Sequence, residues 1–215
     1  MTSISTSSAT ARTDVPGPVT AAPHRMTRRA VRACGVVLAV GATAWSGSSF
    51  VWGFAPSTEL GIKMNYLTGF AFQVGIMALL HVQLFTRATG VKAISRRLLK
   101  LERVLLAGAM VWSLADALLP SQRGSVWLGV LDVFWPLSML GMFFIGIKVA
   151  VAGRWRGGAR VWSLVAETWA PICVPLIGIL GHAQGDIVGA LHLLVGYTVL
   201  GLILAARPDL VEDRG

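Results

Sequence analysis

Apolar residues along this chain are gathered into six long blocks that are separated by short polar or basic stretches. The blocks cover residues 33–54, 65–85, 101–119, 126–147, 161–180 and 187–206. A helix rises about 1.5 Å per residue, so blocks of about 20 residues are long enough to cross the hydrocarbon core of a bilayer. The pattern therefore predicts an all-α fold, in which six transmembrane helices form a single bundle over residues 26–206.

The two ends of the chain lack these apolar blocks. Residues 1–25 are rich in Ser, Thr, Ala and Pro, a composition that predicts a disordered tail, and residues 207–215 form a shorter polar tail. Arg28 and Arg29 resemble part of a twin-arginine signal, but the apolar block after them continues to Phe54, which favours a retained span over a cleaved leader. Translation from Met26 is a hypothesis that the intact mass of the protein would test.

The composition agrees with a membrane protein, because 54% of the residues are hydrophobic and only 13% are charged. Seventeen of the 19 Lys and Arg residues fall before the first block, in or directly beside the second and fourth connections, or after the last block. Only Lys63 and Arg123 lie on the opposite side. The positive-inside rule then predicts that both termini are cytoplasmic and that the protein crosses the cell membrane. Since topology accounts for the net charge of +9, no nucleic-acid partner is indicated.

The basic connection from residue 87 to residue 103 has two interpretations. Val91, Ile94, Leu98 and Leu101 share one helical face, so this segment could lie on an anionic membrane surface. It could instead be a helical extension of the third block with a positive flank. We favour the extension.

Polar residues also follow helical faces inside the blocks. The second block carries a stripe at three- or four-residue spacing, made of Tyr66, Gly69, Gln73, Met77 and His81. The last block follows a polar segment, residues 181–186, that we interpret as a turn. If its helix starts near Asp186, then Gly189, His192 and Gly196 share one face. Small residues at that spacing allow close helix contact, so we expect His192 to point into the bundle.

Ionisable residues inside membrane spans are costly and are therefore candidates for function. Asp116, Asp132 and His192 fall in the outer halves of their blocks, next to His182 and Asp186 in the adjoining turn. Glu167 and His81 belong to the cytoplasmic half. Pro171 cannot bond to the carbonyl of Glu167 one turn earlier, which leaves that carbonyl free.

No Lys or Arg lies centrally in any block, so the sequence offers Asp116, Asp132 and Glu167 no evident cationic partner. An unpaired carboxylate at low dielectric takes up a proton or binds a cation, and histidine is the one available partner that titrates near neutral pH. We therefore expect Asp116, Asp132 and His192 to approach one another in the outer half of the bundle.

Three functional classes follow. The first is a small proton- or cation-linked carrier of a small solute or ion, using the outer cluster together with Glu167 and His81. The second is a non-catalytic membrane partner or assembly subunit, in which the polar residues stabilise packing with a protein partner or in a homo-oligomer. The third is a metal-dependent membrane enzyme, with a weak candidate site at His182, Asp186 and His192. No motif indicates a cofactor, and the sequence favours the carrier.

Overall fold

The computed structural model describes residues 26–212, and this part of the chain is built from helices joined by short turns. The predicted disordered tail at residues 1–25 lies outside the described residues. The α-helices are α1 Arg28–Trp52, α2 Glu59–Phe85, α3 Ala93–Leu118, α4 Val126–Asp132, α5 Phe134–Ala152, α6 Gly157–Glu167, α7 Trp169–Leu180, α8 His182–Leu193 and α9 Val199–Ala206. A π-helical segment, Leu194–Thr198, joins α8 to α9, and 3-10 turns cover Pro120–Gln122 and Pro208–Val211.

Five helical segments of the described chain are long and apolar enough to cross a membrane, which supports a multi-pass membrane protein. They are Arg28–Trp52, Glu59–Phe85, Val126–Ala152, Gly157–Leu180 and His182–Ala206. Helix α3 is as long as these, with 26 residues. Its most apolar part still includes Glu102, Arg103 and Asp116, so its composition is less characteristic of a membrane span than that of the other five.

Helix α3 decides between the two interpretations of the basic connection. It begins at Ala93 and continues without interruption to Leu118. From Ala93 onward the basic segment is therefore a helical extension of the third block, as we predicted, whereas residues 87–92 form the turn before it. The inner face of this helix is a single buried stripe, which includes Ser95, Leu99, Glu102, Leu106, Ala109, Ser113 and Asp116. The spacing of three or four residues along that stripe matches the helical period.

The expected polar turn before the last span is wrong. Helix α8 begins at His182, and Gly181 alone separates it from α7 with a φ of 74°. Glycine adopts this left-handed conformation without a steric cost, so a single residue is enough to reverse the chain. The polar side chains are accommodated in the first turn of α8, where His182 and Asp186 are hydrogen bonded at 3.2 Å.

Helix α1 lies at the centre of the bundle and packs against α2, α8 and α9. Its contact with α9 depends on two glycines. A Cβ on Gly35 would lie 2.6 Å from the carbonyl oxygen of Gly201, and a Cβ on Gly201 would lie 2.6 Å from the carbonyl oxygen of Gly35. The two backbones therefore touch at a point where no side chain fits.

We expect Gly201→Ala to reduce the free energy of unfolding by about 1–3 kcal/mol, because the methyl group collides with backbone atoms of α1. Gly47→Ala is the matched control, since a Cβ at Gly47 has no neighbour within 4 Å. Thermal unfolding in detergent would compare the two variants. Equal midpoints for the two variants would contradict the close approach of α1 and α9.

Candidate functional site

Two of the long segments are interrupted next to an acidic residue. Helix α4 ends at Asp132 and helix α6 ends at Glu167, and each of these residues lies four positions before a proline, Pro136 or Pro171. Proline has no amide hydrogen for the carbonyl four residues earlier, so the backbone carbonyls of both acidic residues lose their regular helix hydrogen bond. The carbonyl that we expected to be free at Glu167 lies where the structure interrupts the span between α6 and α7, and α4 and α5 show the same arrangement at Asp132.

Glu167 is buried at this break, with 1% of its surface exposed. The hydroxyl of Tyr197 donates to its Oε2 at 2.7 Å, and its Oε1 has no hydrogen-bond partner among the described residues. Tyr197 belongs to the π-helical segment Leu194–Thr198. Such segments are rare and occur often at functional sites. Two irregular backbone segments therefore meet at one hydrogen bond.

Glu102 is a second buried carboxylate close to Glu167. It is 1% exposed, and the hydroxyl of Ser138 donates to its Oε1 at 2.5 Å. Each of Glu167 and Tyr197 experiences an electrostatic influence from Glu102. Within the described chain, neither glutamate forms an ion pair with a Lys, Arg or His side chain. The bundle therefore encloses two neighbouring acidic groups with hydroxyl partners only.

A cavity of about 170 Å³ lies in the same bundle, and Phe54 and Asn65 are among the residues that line it. Its wall consists mainly of aromatic rings. The lining residues are Trp45, Phe54, Asn65, Tyr66, Gly69, Gln73, Trp112, Ser113, Trp135, Trp169 and Ile177. Tyr66, Gly69 and Gln73 are members of the predicted stripe on α2, which confirms that this part of the stripe faces the bundle interior.

The polar groups of this cavity are partly paired. The indole N–H of Trp45 donates to Asn65 Oδ1 at 2.9 Å, and that of Trp169 donates to the carbonyl of Gly189 at 3.0 Å. Gln73 Nε2 donates to Ser113 Oγ at 2.9 Å, whereas Gln73 Oε1 has no hydrogen-bond partner within residues 26–212. Hydrogen bonds thus hold the aromatic wall in place, and one buried amide oxygen, Gln73 Oε1, is left without a partner among the described residues.

Aromatic contacts connect the cavity wall to the buried carboxylate. Trp45 stacks on Phe72 with ring centroids 5.0 Å apart, and Phe72 meets the ring of Tyr197 edge-on at 4.9 Å. Tyr197 in turn donates to Glu167. Trp169 also lines the cavity and follows Glu167 by two residues, across the helix break. Two ring contacts and one hydrogen bond therefore connect the cavity wall to Glu167.

The end of the bundle beyond the cavity carries four carboxylates and is called the acidic end below. These are Glu59, Asp116, Asp132 and Asp186, against only two basic residues, Lys63 and Arg123. Arg123 Nε lies 2.8 Å from Asp116 Oδ1, and its Nη1 lies 2.6 Å from Glu59 Oε2. The hydrogen bond that Arg123 donates to the carboxylate of Glu59 raises the pKa of Arg123, so the guanidinium stays charged.

Arg123 overturns the expectation that Asp116 has no cationic partner. The sequence argument considered only residues inside the blocks, whereas Arg123 reaches back from the turn after α3. Asp132 is exposed and forms no hydrogen bond or ion pair with the described residues. It lies within electrostatic range of Asp116 and of Tyr66. The acidic end therefore retains negative charge that Arg123 does not balance.

The histidines lie elsewhere. His192 Nε2 is 3.2 Å from the Thr168 hydroxyl, and the described contacts of His192 include neither Asp116 nor Asp132. The expected three-residue cluster is therefore not among the contacts of residues 26–212. His81 is half-buried against the ring of Phe85, at a centroid distance of 4.6 Å.

The weak candidate metal site is also not assembled. Asp186 Oδ2 accepts from the backbone N–H of Phe54 at 3.0 Å, and Asp186 Oδ1 meets His182. His192 is turned toward Thr168 instead. Among the described residues, no group of three or more His, Cys, Asp or Glu side chains is placed to hold a metal ion. Asp186 instead fixes the turn after α1 against α8.

Two residues of the site were missed by the sequence analysis. Glu102 is not among the candidates from the sequence, because it lies at the edge of its apolar block, beside Arg103. Its register with Ser113 and Asp116 on α3 is the signal that could have identified it. The role of Tyr197 depends on the π-helical segment, which the apolar pattern around it does not reveal.

No family model, curated protein or solved structure matches this chain.

Proposed function

We propose that this protein is a small proton-linked carrier in which Glu167 is the proton-binding group. The observation that carries the proposal is a fully buried carboxyl group, placed at a helix break, with one oxygen bonded to Tyr197 and the other unpartnered. A negative charge in this interior is costly unless a proton or another cation accompanies it. Protonation of Glu167 thus changes which structure of the bundle is favoured.

The helix break supplies the coupling element. Thr168 separates α6 from α7, and Trp169 on its far side lines the cavity. A solute that displaces Trp169 changes the position of α7 relative to Glu167. Discontinuous helices with charged or unpaired groups are a recurrent means of building coupled sites in transporters. The proton-binding role that the sequence suggested for Asp116, Asp132 and His192 is therefore assigned to Glu167, which has Glu102 as a charged neighbour.

Difference infrared spectroscopy tests the titration of Glu167 directly. On raising the pH, the wild-type protein should lose a protonated carboxyl C=O band that Glu167→Gln lacks. Glu167→Asp is the second variant and should retain a shifted band. An unchanged band in Glu167→Gln would show that another carboxyl group titrates.

The proposal also includes the orientation of the protein in the membrane. We place α3 in the membrane as a sixth span and both termini in the cytoplasm of the cell, because the basic residues concentrate at the end opposite the acidic end. Cysteines at the exposed positions Ser57 and Ser121 should then react with an impermeant thiol reagent added to intact cells.

The control position on the cytoplasmic side must also be exposed on the surface of the protein. Ser95 is unsuitable, because it is only 4% exposed and would resist labelling on either side. Ala93 is exposed at the start of α3 and replaces it. A cysteine at Ala93 should react only after the cells are opened. Labelling of Ala93→Cys in intact cells would contradict the orientation.

A further inference from the structure

We propose that the aromatic cavity binds a small organic cation, an ammonium group on an apolar body about the size of one ring. This inference rests on the proposed carrier function, for which it names the substrate class. A cavity of about 150 Å³ in a protein core accommodates benzene, and the present cavity of about 170 Å³ is of similar size. Its volume therefore suits a compact solute.

The wall chemistry selects for positive charge. Six of its residues are aromatic, and the lining described contains no lysine, arginine or histidine. Aromatic ring faces carry negative electrostatic potential and attract ammonium groups, which is how cages of tryptophan and tyrosine recognise quaternary ammonium ligands. Tyr66 and Trp112 meet edge-to-face, with ring centroids 5.2 Å apart, so the two planes lie at right angles on one wall.

An independent observation is the amide of Gln73, which is 1% exposed and lines the cavity. Its Oε1 has no hydrogen-bond partner among the described residues, and such buried oxygens are uncommon. An amide oxygen accepts a hydrogen bond from a protonated amine, and its dipole also attracts a quaternary ammonium. It does not attract an anion.

The carboxylates near the cavity also favour a cationic solute. Tyr66 of the wall lies within electrostatic range of Asp116 and Asp132. Arg123 balances one carboxylate of the acidic end but is shared between Asp116 and Glu59. A local excess of negative charge near the cavity raises the local concentration of cations and lowers that of anions. The aromatic wall, the amide of Gln73 and the nearby carboxylates therefore all favour a cationic solute.

Calorimetric titration of the full chain in detergent tests this, with protein-free micelles as the blank. The probes are benzyltrimethylammonium, benzyl alcohol and benzoate, which share a ring and differ in charge. We expect saturable binding of the cation, binding of the alcohol weaker by about tenfold or more, and no binding of benzoate. Equal binding of cation and alcohol, or no saturable binding of the cation, would overturn the proposal.

Variants locate the site. Trp112→Leu and Gln73→Leu should each weaken cation binding by about tenfold while benzyl alcohol binding changes little. Trp127→Leu is the matched control, because Trp127 is 43% exposed and lies outside the cavity. It should bind the cation as the wild-type protein does. Loss of cation affinity in the control alone would place the site elsewhere.

The binding test is separate from the carrier proposal. Glu167 is not among the lining residues, and calorimetric binding of benzyltrimethylammonium in detergent is read without any pH gradient or proton movement. Cation binding without any coupled proton movement would preserve the site and overturn the carrier. Proton movement with another solute class, together with no cation binding, would preserve the carrier and overturn the site.

Discussion

Replacing Glu167 with glutamine is expected to abolish solute uptake driven by a pH gradient, with a fall of at least about tenfold in reconstituted vesicles. Glutamine keeps the size of the side chain and can still accept from Tyr197, but it cannot exchange a proton. Radiolabelled benzyltrimethylammonium is the probe, because its fixed charge prevents it from crossing lipid unaided. Uptake is measured at several external pH values.

The control for this prediction is Glu59→Gln. Glu59 is also a helix glutamate, but its side chain is 65% exposed and pairs with Arg123 at the acidic end. We expect it to change uptake by less than about threefold, since exposed ion pairs contribute little. A variant at Glu59 that fails as completely as Glu167→Gln would mean that the acidic end carries the coupling.

Truncation of Trp45 to alanine is expected to have the largest effect on stability, a loss of about 3–5 kcal/mol. Its ring is 6% exposed and contacts four others, those of Phe54, Phe72, Trp135 and Trp169. The truncation also leaves Asn65 Oδ1 without the indole donor. Chemical or thermal unfolding in detergent measures the loss.

Trp127→Ala provides the comparison within the same protein. Trp127 is 43% exposed, and its indole N–H reaches Gln122 at 3.4 Å. We expect a change of less than about 1 kcal/mol, which is typical of substitutions away from a packed core. Similar losses for the two tryptophans would indicate that the cluster around Trp45 does not hold the helices together.

The helical architecture was predictable because apolar blocks of membrane length have few alternatives. The loss of the helix hydrogen bond at the carbonyls of Asp132 and Glu167 can also be predicted from the sequence, because a proline four residues later has no amide hydrogen. The start of α8 was not, because a polar segment such as residues 181–186 is compatible with a turn or with the first turn of a helix. Only the packing of Asp186 against Phe54 distinguishes the two.

The candidate site was harder to predict than the fold. Sequence reasoning identified Asp116, Asp132, His192, Glu167 and His81 as costly groups, but it could not assign their partners. Partners depend on rotation and depth of each helix, which a period of 3.6 residues does not fix between helices. Arg123 shows the difficulty, because a side chain from a turn neutralises a residue inside a span.

The cavity was not predictable for a similar reason. Its tryptophans are spread over α1, α3, α5 and α7, and in an apolar block a tryptophan is equally compatible with packing or with an interfacial position. Only the contacts between helices bring the rings around one space. The stripe of Tyr66, Gly69 and Gln73 was the part of this wall that lay on one helix and could be found by spacing.

The central claim is that solute movement carries protons through Glu167. The most direct measurement is proton flux, followed with a pH-sensitive dye inside vesicles, when benzyltrimethylammonium and other small organic cations are added in turn. Flux should occur with the wild-type protein and Asp132→Asn and be absent with Glu167→Gln, while His192→Ala should retain most of it. Equal flux in all four proteins, or loss with Asp132→Asn but not with Glu167→Gln, would contradict the account.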